Sequence, residues 1–172
     1  MVTSTLPTLY ADSGLSSYLN QIKIFPILTL DEEYMLAERY NKYNDKDAAH
    51  KLVTSHLRLV AKIALRYRGY GLPVADLISE GNIGLMKAVK KFQPELGFRL
   101  STYAMWWIKA SVTEYVLKSW SMVKMGTMAA QKKLFFSLRK AKEKLNLINS
   151  NDIDYESAKV LSEQFNLSEQ DI

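Results

Sequence analysis

Apolar residues recur every three or four positions through most of the chain, which is the spacing of amphipathic helices rather than of strands. A polar segment at 1–13 is expected to be frayed, and a first helix is predicted over 15–24. This helix should end near Pro26, because the residue before a proline avoids helical backbone angles. Thr29 has capping-box spacing to Glu32, so a second helix is predicted to begin there. The predicted apolar face of the second helix consists of Leu30, Tyr34 and Ala37.

Three longer helices are predicted in the middle of the chain, over 47–67, 74–92 and 101–120. Glycine and proline in the intervening segments separate them. Ser101 is placed to cap the last of the three. The predicted face of the first consists of Leu52, His56, Leu59, Val60, Ile63 and Tyr67. The periodicity therefore predicts an all-α fold.

The C-terminal part of the chain has a different character. A loop is predicted over 121–126 and a basic helix over 129–145. Further on, one apolar helix face ends in a turn, and Ser168 opens a new helix with capping-box spacing. A small trihelical domain would begin in this way. We therefore expect one domain over 14–120 and an incomplete second domain over 121–172, in a fragment of a longer protein.

Composition limits the classes of protein that the chain can belong to. Apolar residues make up 48% of the sequence, which is enough for a packed core. There is no cysteine, so disulfides and thiolate metal sites are excluded. No apolar run approaches the roughly 20 residues of a membrane-spanning helix, and the N-terminus lacks the pattern of a signal peptide. We expect a cytoplasmic protein without metal, cofactor or membrane insertion.

Charge is distributed unevenly along the chain, whose net charge is +5. Most of the 23 basic side chains lie within 51–144, whereas both ends carry more acidic than basic residues. A basic region flanked by acidic ends indicates an anionic partner for the middle of the chain. Nucleic acid is the partner that this distribution favours.

The fifth predicted helix combines aromatic and basic residues. Tyr103, Trp106 and Trp107 have the spacing i, i+3 and i+4 and are predicted to lie on one side. Unpaired bases stack on such rings with about 1–3 kcal/mol each, while nearby cations hold the phosphates. A buried stripe is the alternative, but adjacent tryptophans point about 100° apart on a helix. The surrounding basic residues are Arg99, Lys109, Lys118 and Lys124.

Two segments of this region resemble the sigma-70 family of bacterial transcription initiation factors. STYAMWWIKA, at 101–110, resembles the family's promoter-melting segment, and DLISEGNIGLMKAVKKF, at 76–92, resembles its main contact with RNA polymerase. Both motifs are long, and they occur in the family's order. The resemblance extends over about 13–172 and implies a helical sigma domain 2 followed by the start of domain 3.

The resemblance implies that the fourth helix binds a coiled coil of the largest polymerase subunit. Gly81 and Gly84 weaken a helix interior, so we expect another helix to approach them closely. Ser79 stands where the family usually has glutamine. The polymerase-contact set predicted on this helix is Asp76, Leu77, Ser79, Glu80, Asn82 and Met86.

The resemblance also implies roles in opening the −10 element of promoter DNA. Tyr103 would stack on an adenine that flips out of the non-template strand, and Trp106 and Trp107 would lie against the upstream edge of the bubble. Thr102 and Arg99 would help to hold the strand. Further candidates for duplex or phosphate contact are Lys109, Thr113, Lys118 and Lys124.

Two departures from the family pattern concern its subtype. Leu100 stands where many members have an aromatic residue, and Ala110 stands where primary factors have a glutamine that reads the duplex. Both argue against a primary factor.

The segment QKKLFFSLRK, at 131–140, resembles the segment that distinguishes heat-shock factors. It implies further polymerase contact and turnover by chaperones and a membrane protease, and the contact residues predicted there are Gln131, Phe135, Phe136 and Arg139.

Several alternatives remain at this point. A generic single-strand-binding module would explain the aromatic helix without polymerase, and a primary or sporulation factor is the alternative within the family. A further alternative is a helical enzyme that uses Asp76 and Glu80 as paired carboxylates, but no nucleophile or histidine in the sequence supports catalysis. His50 and His56 are interpreted as surface or edge residues. Asp31, Glu32 and Glu33 are interpreted as first-turn helix charges.

Overall fold

The computed structural model of the protein describes residues 11–119 and Phe135–Ser137. The chain divides into two compact units, Met1–Trp120 and Ser121–Ile172. The α-helices of the first unit are α1 (Ala11–Gln21), α2 (Leu30–Tyr43), α3 (Lys46–Ala64), α4 (Val74–Lys91) and α5 (Leu100–Ser119). Short 3-10 helices at Leu65–Tyr70 and Pro94–Leu96 lie before α4 and α5. Every regular element in these described ranges is helical, which confirms the predicted all-α fold.

Helix α1 lies earlier in the chain than the sequence predicted. It begins at Ala11 and ends at Gln21, so the expectation of a frayed segment is wrong for 11–13. Ser13 and Gly14 have low helix propensity, which hid this start. The helix is attached to the rest of the unit by Tyr18, which is buried.

Helix α2 begins with the predicted capping box. The Thr29 N–H donates to Glu32 Oε2 at 2.8 Å, and the Glu32 N–H donates to Thr29 Oγ1 at 3.3 Å. The predicted apolar face is wrong in part, because Leu30 and Tyr34 are exposed and only Ala37 is buried. The other buried residue of α2 is the acidic Glu33.

Helix α3 is capped by Asp45 and buries most of its predicted face. Leu52, His56, Val60 and Ile63 are buried, whereas Leu59 and Tyr67 are half-buried. His56 is only 8% exposed, so its interpretation as a surface or edge residue is wrong. After the 3-10 helix, Gly71 adopts a left-handed conformation with φ 75° and ends the segment, as its sequence predicted.

Helices α4 and α5 pack against each other at very short range. A Cβ atom at Gly84 would lie 2.6 Å from the Trp107 carbonyl oxygen, and one at Gly81 would lie 2.6 Å from Val60 Cγ1. The predicted close approach of other helices at both glycines is therefore confirmed. The core of this contact comprises Leu77, Ile78, Leu85, Ala88, Leu100, Ala104, Ile108, Val112 and Val116.

The start of α5 lies earlier than the sequence predicted, so Ser101 lies inside the helix and is not its cap. The helix begins at Leu100 rather than after Ser101. The N–H of Leu100 donates to Glu33 Oε1 at 2.6 Å, so a side chain from α2 satisfies the first turn. This contact places the aromatic residues of α5 relative to the N-terminal helices.

Candidate nucleic-acid interface

Three aromatic rings meet where α4 ends and α5 begins. The Tyr103 ring centroid lies 6.0 Å from that of Phe92 and 6.2 Å from that of Trp107. Lys91 Nζ lies 4.7 Å from the centre of the Trp107 ring, within the range of a cation–π contact. We call Lys91, Phe92, Tyr103 and Trp107 the aromatic cluster. It presents ring surface and positive charge together.

Trp106 lies apart from this cluster. Its side chain is 69% exposed, and Lys109 Nζ lies 5.6 Å from its ring centre. The prediction that Tyr103, Trp106 and Trp107 share one side of the helix is therefore wrong for Trp106. Neighbouring residues on a helix point about 100° apart, and Trp107 occupies the side that faces Tyr103.

The buried-stripe alternative for these aromatics does not fit the structure. The face of α5 that packs into the core is formed by Leu100, Ala104, Ile108, Val112 and Val116. Tyr103 and Trp107 are half-buried, and Trp106 is exposed. The three aromatic side chains are therefore accessible to a partner.

A pocket of about 470 Å³ lies beside Tyr103. That volume is in the range of ligand pockets, about 300–1,000 Å³. Two of its wall residues, Leu96 and Phe98, are 63% and 67% exposed. Sequence reasoning missed both, although an aromatic residue in the turn before an aromatic helix was a usable signal. The lining residues are Lys91, Phe92, Gln93, Leu96, Phe98 and Tyr103.

Arg99, predicted to hold DNA, is half-buried and donates hydrogen bonds to other residues of the chain. Its Nη2 donates to Glu33 Oε2 and to the Leu28 carbonyl oxygen, both at 3.1 Å. The hydrogen bond to Glu33 raises the pKa of the Arg99 guanidinium above its ordinary value. Glu33 lies in the first turn of α2, as the sequence indicated, but its carboxylate is buried against Arg99 and the start of α5.

The other predicted DNA-contact residues are scattered along α5. Thr102 is exposed beside the cluster, and the Thr113 hydroxyl lies 3.3 Å from the Tyr67 hydroxyl. Lys118 is exposed and pairs with Glu114 at 2.7 Å. That pairing raises the pKa of Lys118. Lys124 lies outside the described residues.

Helix α4 offers a mixed polar and apolar surface on the side away from the core. Asp76, Ser79 and Met86 are exposed, and Glu80 and Asn82 are half-buried. The placement of Leu77 in the polymerase-contact set is wrong, since its side chain is fully buried in the core and reaches no partner. Sequence reasoning left out Ile83, which is 39% exposed on the same helix.

Two details fix the polar groups on α4. The Ser79 hydroxyl donates to the Ala75 carbonyl oxygen at 3.0 Å within its own helix. The Tyr115 hydroxyl on α5 donates to Asp76 Oδ2 at 3.2 Å. Partial burial, followed by the Asp76 charge, raises the pKa of Tyr115. Asp76 is therefore oriented by α5 while it remains exposed.

Little of the predicted C-terminal contact set falls within the described residues. Phe135 and Phe136 are helical and half-buried, with ring centroids 5.1 Å apart in an edge-to-face arrangement. Gln131 and Arg139 lie outside the described residues. Across the described part of the chain, no helix is both long and apolar enough to cross a membrane. Nor do three His, Asp or Glu side chains in that part gather as a metal site.

Comparison with known proteins adds family matches to this geometry. Residues 52–122 match Sigma-70 region 2, and residues 14–46 match Sigma-70 factor, region 1.2. The first match contains α4, α5 and most of α3, with the whole aromatic cluster. The second match contains α2 and most of α1.

Three relatives are each named RNA polymerase sigma factor RpoH. The protein from Rhizobium radiobacter is 58% identical over 173 residues, covering 100% of this chain and 58% of the relative. That from Caulobacter vibrioides is 63% identical over 153 residues, covering 89% and 52%. That from Zymomonas mobilis is 57% identical over 169 residues, covering 98% and 56%. The chain therefore spans little more than half the length of the relatives that it matches.

Proposed function

Since this chain belongs to the sigma-70 family, we propose that it is the polymerase-binding and promoter-opening part of a heat-shock-type sigma factor. The aromatic cluster carries this proposal, because the half-buried Tyr103 ring and the exposed Lys91 line a pocket, and the half-buried Trp107 ring contacts both of them. The aromatic cluster binds the non-template strand of the −10 element of promoter DNA. The protein is not an enzyme, and binding energy alone drives the opening.

Tyr103 is the proposed stacking surface for the flipped adenine. Its ring forms one wall of the pocket, with Phe92 and Phe98 as further aromatic walls. Flipping a base costs a few kcal/mol, least where pairing is weak, and a captured base recovers about 1–3 kcal/mol by stacking. Opening and recognition of an A·T-rich site thus become one event.

The two tryptophans have different proposed tasks. Trp106, exposed and accompanied by Lys109, would lie against the upstream edge of the bubble. Trp107 packs edge-on against Tyr103, and Lys91, which lies over the Trp107 ring, offers positive charge to the adjacent phosphates. Thr102 and Lys118, both exposed, would contact the backbone of the strand or the duplex.

Core RNA polymerase is the proposed protein partner of α4. Asp76, Glu80 and Met86 combine negative charge with an exposed apolar side chain, which suits a partner helix that carries basic and apolar groups. The coiled coil of the largest subunit is that partner by family resemblance. Asn82 and Ser79 complete the contact.

The heat-shock subtype is supported by two observations. All three relatives described above carry the name RpoH. The segment 131–140 resembles the segment that distinguishes heat-shock factors, and Phe135 and Phe136 lie there in a helix. The same proposal has three further parts. This segment makes further contact with polymerase, the protein is turned over through chaperones and a regulatory protease, and it acts in the bacterial cytoplasm.

Fluorescence anisotropy on a labelled single strand with a heat-shock-type −10 sequence tests the proposal, with core polymerase present. Wild type should prefer this strand to a scrambled one. A Tyr103→Ala, Trp106→Ala double variant should lose the preference while it still associates with polymerase. Tyr43→Ala is the matched control, since Tyr43 is a 77% exposed aromatic residue on α2 outside the cluster. Equal, selective binding by all three proteins would contradict the assignment of the aromatic residues.

A generic single-strand-binding module is the rival function. Such a module needs no polymerase, and it binds strands without regard to sequence. Co-purification of core polymerase with the chain, and its loss in a Met86→Ala, Glu80→Ala variant, would separate the two. Strand binding that is equally tight without polymerase and equal on scrambled DNA would favour the rival.

A further inference from the structure

Glu33 is a buried carboxylate whose two oxygens are both occupied by donors from the start of α5. Its side chain is 2% exposed. Oε1 accepts the Leu100 N–H at 2.6 Å and the Arg99 Nε–H at 3.2 Å. Oε2 accepts from Arg99 Nη2 at 3.1 Å. His56 Nε2 lies 3.7 Å from Oε2 and closes the site from α3.

These donors belong to the first turn of the aromatic helix. The Arg99 carbonyl oxygen accepts the N–H groups of Thr102 at 3.1 Å and Tyr103 at 3.3 Å. Glu33 binds the side chain of Arg99 and the N–H of Leu100, so it fixes both residues that open this turn. The Tyr103 backbone is therefore one hydrogen bond away from a residue that Glu33 holds.

Helix α2 is also attached to the other side of the aromatic cluster. The Asn41 side-chain amide donates to the Phe92 carbonyl oxygen at 3.0 Å. Phe92 in turn packs its ring against Tyr103. Helix α2 thus contacts the backbone on both sides of the Tyr103 pocket, at Phe92 and at Leu100.

A buried charge of this kind is sensitive to small changes. A carboxylate removed from water is tolerated only when it is paired and fully hydrogen-bonded. Glutamine has nearly the same shape, but it must turn an NH₂ group toward one of these donors. The site is therefore built for a carboxylate, and the polar-for-polar exchange breaks it.

We infer that Glu33 is a positioning residue for promoter opening, because its carboxylate fixes the first turn of α5 and so aims the Tyr103 ring at its pocket. This inference rests on the proposed function. Glu33 lies in the segment that matches region 1.2, and α5 lies in the segment that matches region 2. The inferred role of α2 is therefore to hold α5 in the orientation that binds DNA, without contacting the flipped base itself.

The test compares Glu33→Gln with wild type in the full chain bound to core polymerase. Strand affinity is measured by anisotropy in two backgrounds, with Tyr103 present and with Tyr103→Ala. We expect Glu33→Gln to weaken −10 strand binding about tenfold when Tyr103 is present, as befits a lost charge-assisted hydrogen bond. In the Tyr103→Ala background the same exchange should weaken binding by less than about twofold, because residues that act as a unit are not additive.

Two variants keep this comparison interpretable. Glu38→Gln removes a carboxylate of the same helix that pairs with Lys42 at the surface, and it should leave strand affinity unchanged. Glu33→Asp keeps the charge but is one methylene shorter. Because the charge is kept, Glu33→Asp should fold even if Glu33→Gln fails to fold. Its loss of strand affinity should be smaller than that of the glutamine variant.

The outcomes separate the inference from the proposed function. Equal weakening in both backgrounds means that Glu33 only stabilises the fold, and unchanged affinity means that it positions nothing; either result overturns the inference while wild-type selectivity stands. A wild type without −10 selectivity would instead refute the proposed function. Amide hydrogen exchange gives a readout without DNA: Glu33→Gln should speed exchange at Leu100–Tyr103 but not within α4. Unchanged exchange at Leu100–Tyr103 overturns the inference in every case.

Discussion

Replacing Gly84 with alanine should push α4 away from α5. The new Cβ would lie 2.6 Å from the Trp107 carbonyl oxygen and 3.0 Å from Ile108 Cα. Both are backbone atoms and cannot rotate aside, so the helices themselves must separate. Alanine favours a helix interior by about 1 kcal/mol over glycine. Overpacking costs about 1–3 kcal/mol, and rigid backbone partners place this site near the upper end. We expect a net destabilisation of about 1–2 kcal/mol.

Urea unfolding followed by tryptophan fluorescence measures this change in the free energy of unfolding. Ser79→Ala is the control, because Ser79 is exposed on the same helix and its replacement should change stability by no more than about 0.5 kcal/mol. A Gly84→Ala variant that is as stable as wild type, or more stable, would refute the close packing of α4 on α5.

Gly81 provides an internal comparison for the same reasoning. Its added Cβ would lie 2.6 Å from a side-chain atom, Val60 Cγ1, rather than from backbone. Gly81→Ala should therefore cost less in a Val60→Ala background than in wild type, as expected for residues in direct contact. Strictly additive unfolding energies would contradict this account of Gly81.

Four further predictions concern single sites. Thr29→Ala should lower the free energy of unfolding by about 1 kcal/mol, because it removes the α2 cap. Hydrogen bonds from Thr29 lower the pKa of Glu32 below its ordinary 4.5. The ionised carboxylate therefore stabilises the fold above that pH, and this stabilisation is lost as the pH falls through the folded-state pKa. In acid unfolding, the stability of Glu32→Gln should converge with that of wild type in this pH range. Asn44→Gly should raise the thermal midpoint slightly, since Asn44 has φ 51°, and a lowered midpoint would contradict this. Trp106→Ala should leave the midpoint unchanged but weaken −10 strand binding; a large loss of stability would place Trp106 in the core.

Local features of the fold were readable from the sequence. The capping box at Thr29 involves residues three apart, and the glycines of α4 signal a close neighbour wherever it comes from. Such signals depend on a few adjacent residues, and the structure confirms them. The buried face of α2 was not readable in the same way, because Leu30 and Tyr34 look like core residues and Glu33 looks like a solvated acid.

The role of Glu33 depends on a partner that lies 66 residues away in the chain. An acidic side chain at the start of a helix is explained locally by its interaction with the helix N-terminus. No residue near Glu33 in the sequence indicates that its partner is Arg99. His56 was misjudged for the same reason, since its neighbour Glu33 belongs to another helix. Long-range pairing of charges leaves no periodic pattern in a single sequence.

The candidate site was predicted in its chemistry and only partly in its geometry. The i, i+4 contact of Tyr103 with Trp107 follows from helix geometry and is present. Helix α5 is apolar or aromatic on most sides, so its sequence did not settle which way Trp106 points. The pocket beside Tyr103 depends on Leu96 and Phe98 in the preceding turn, whose conformation the sequence left open.

The central claim is that Tyr103 captures a base unstacked from the −10 element. Fluorescence of 2-aminopurine at the flipping adenine of a promoter fragment tests it most directly, because this base analogue brightens when it leaves the stack. Adding the wild-type chain together with core polymerase should raise the fluorescence, and Tyr103→Ala should abolish most of the rise while polymerase association is retained. An equal rise with wild type and Tyr103→Ala, or no rise with a wild-type chain bound to polymerase, would contradict the account.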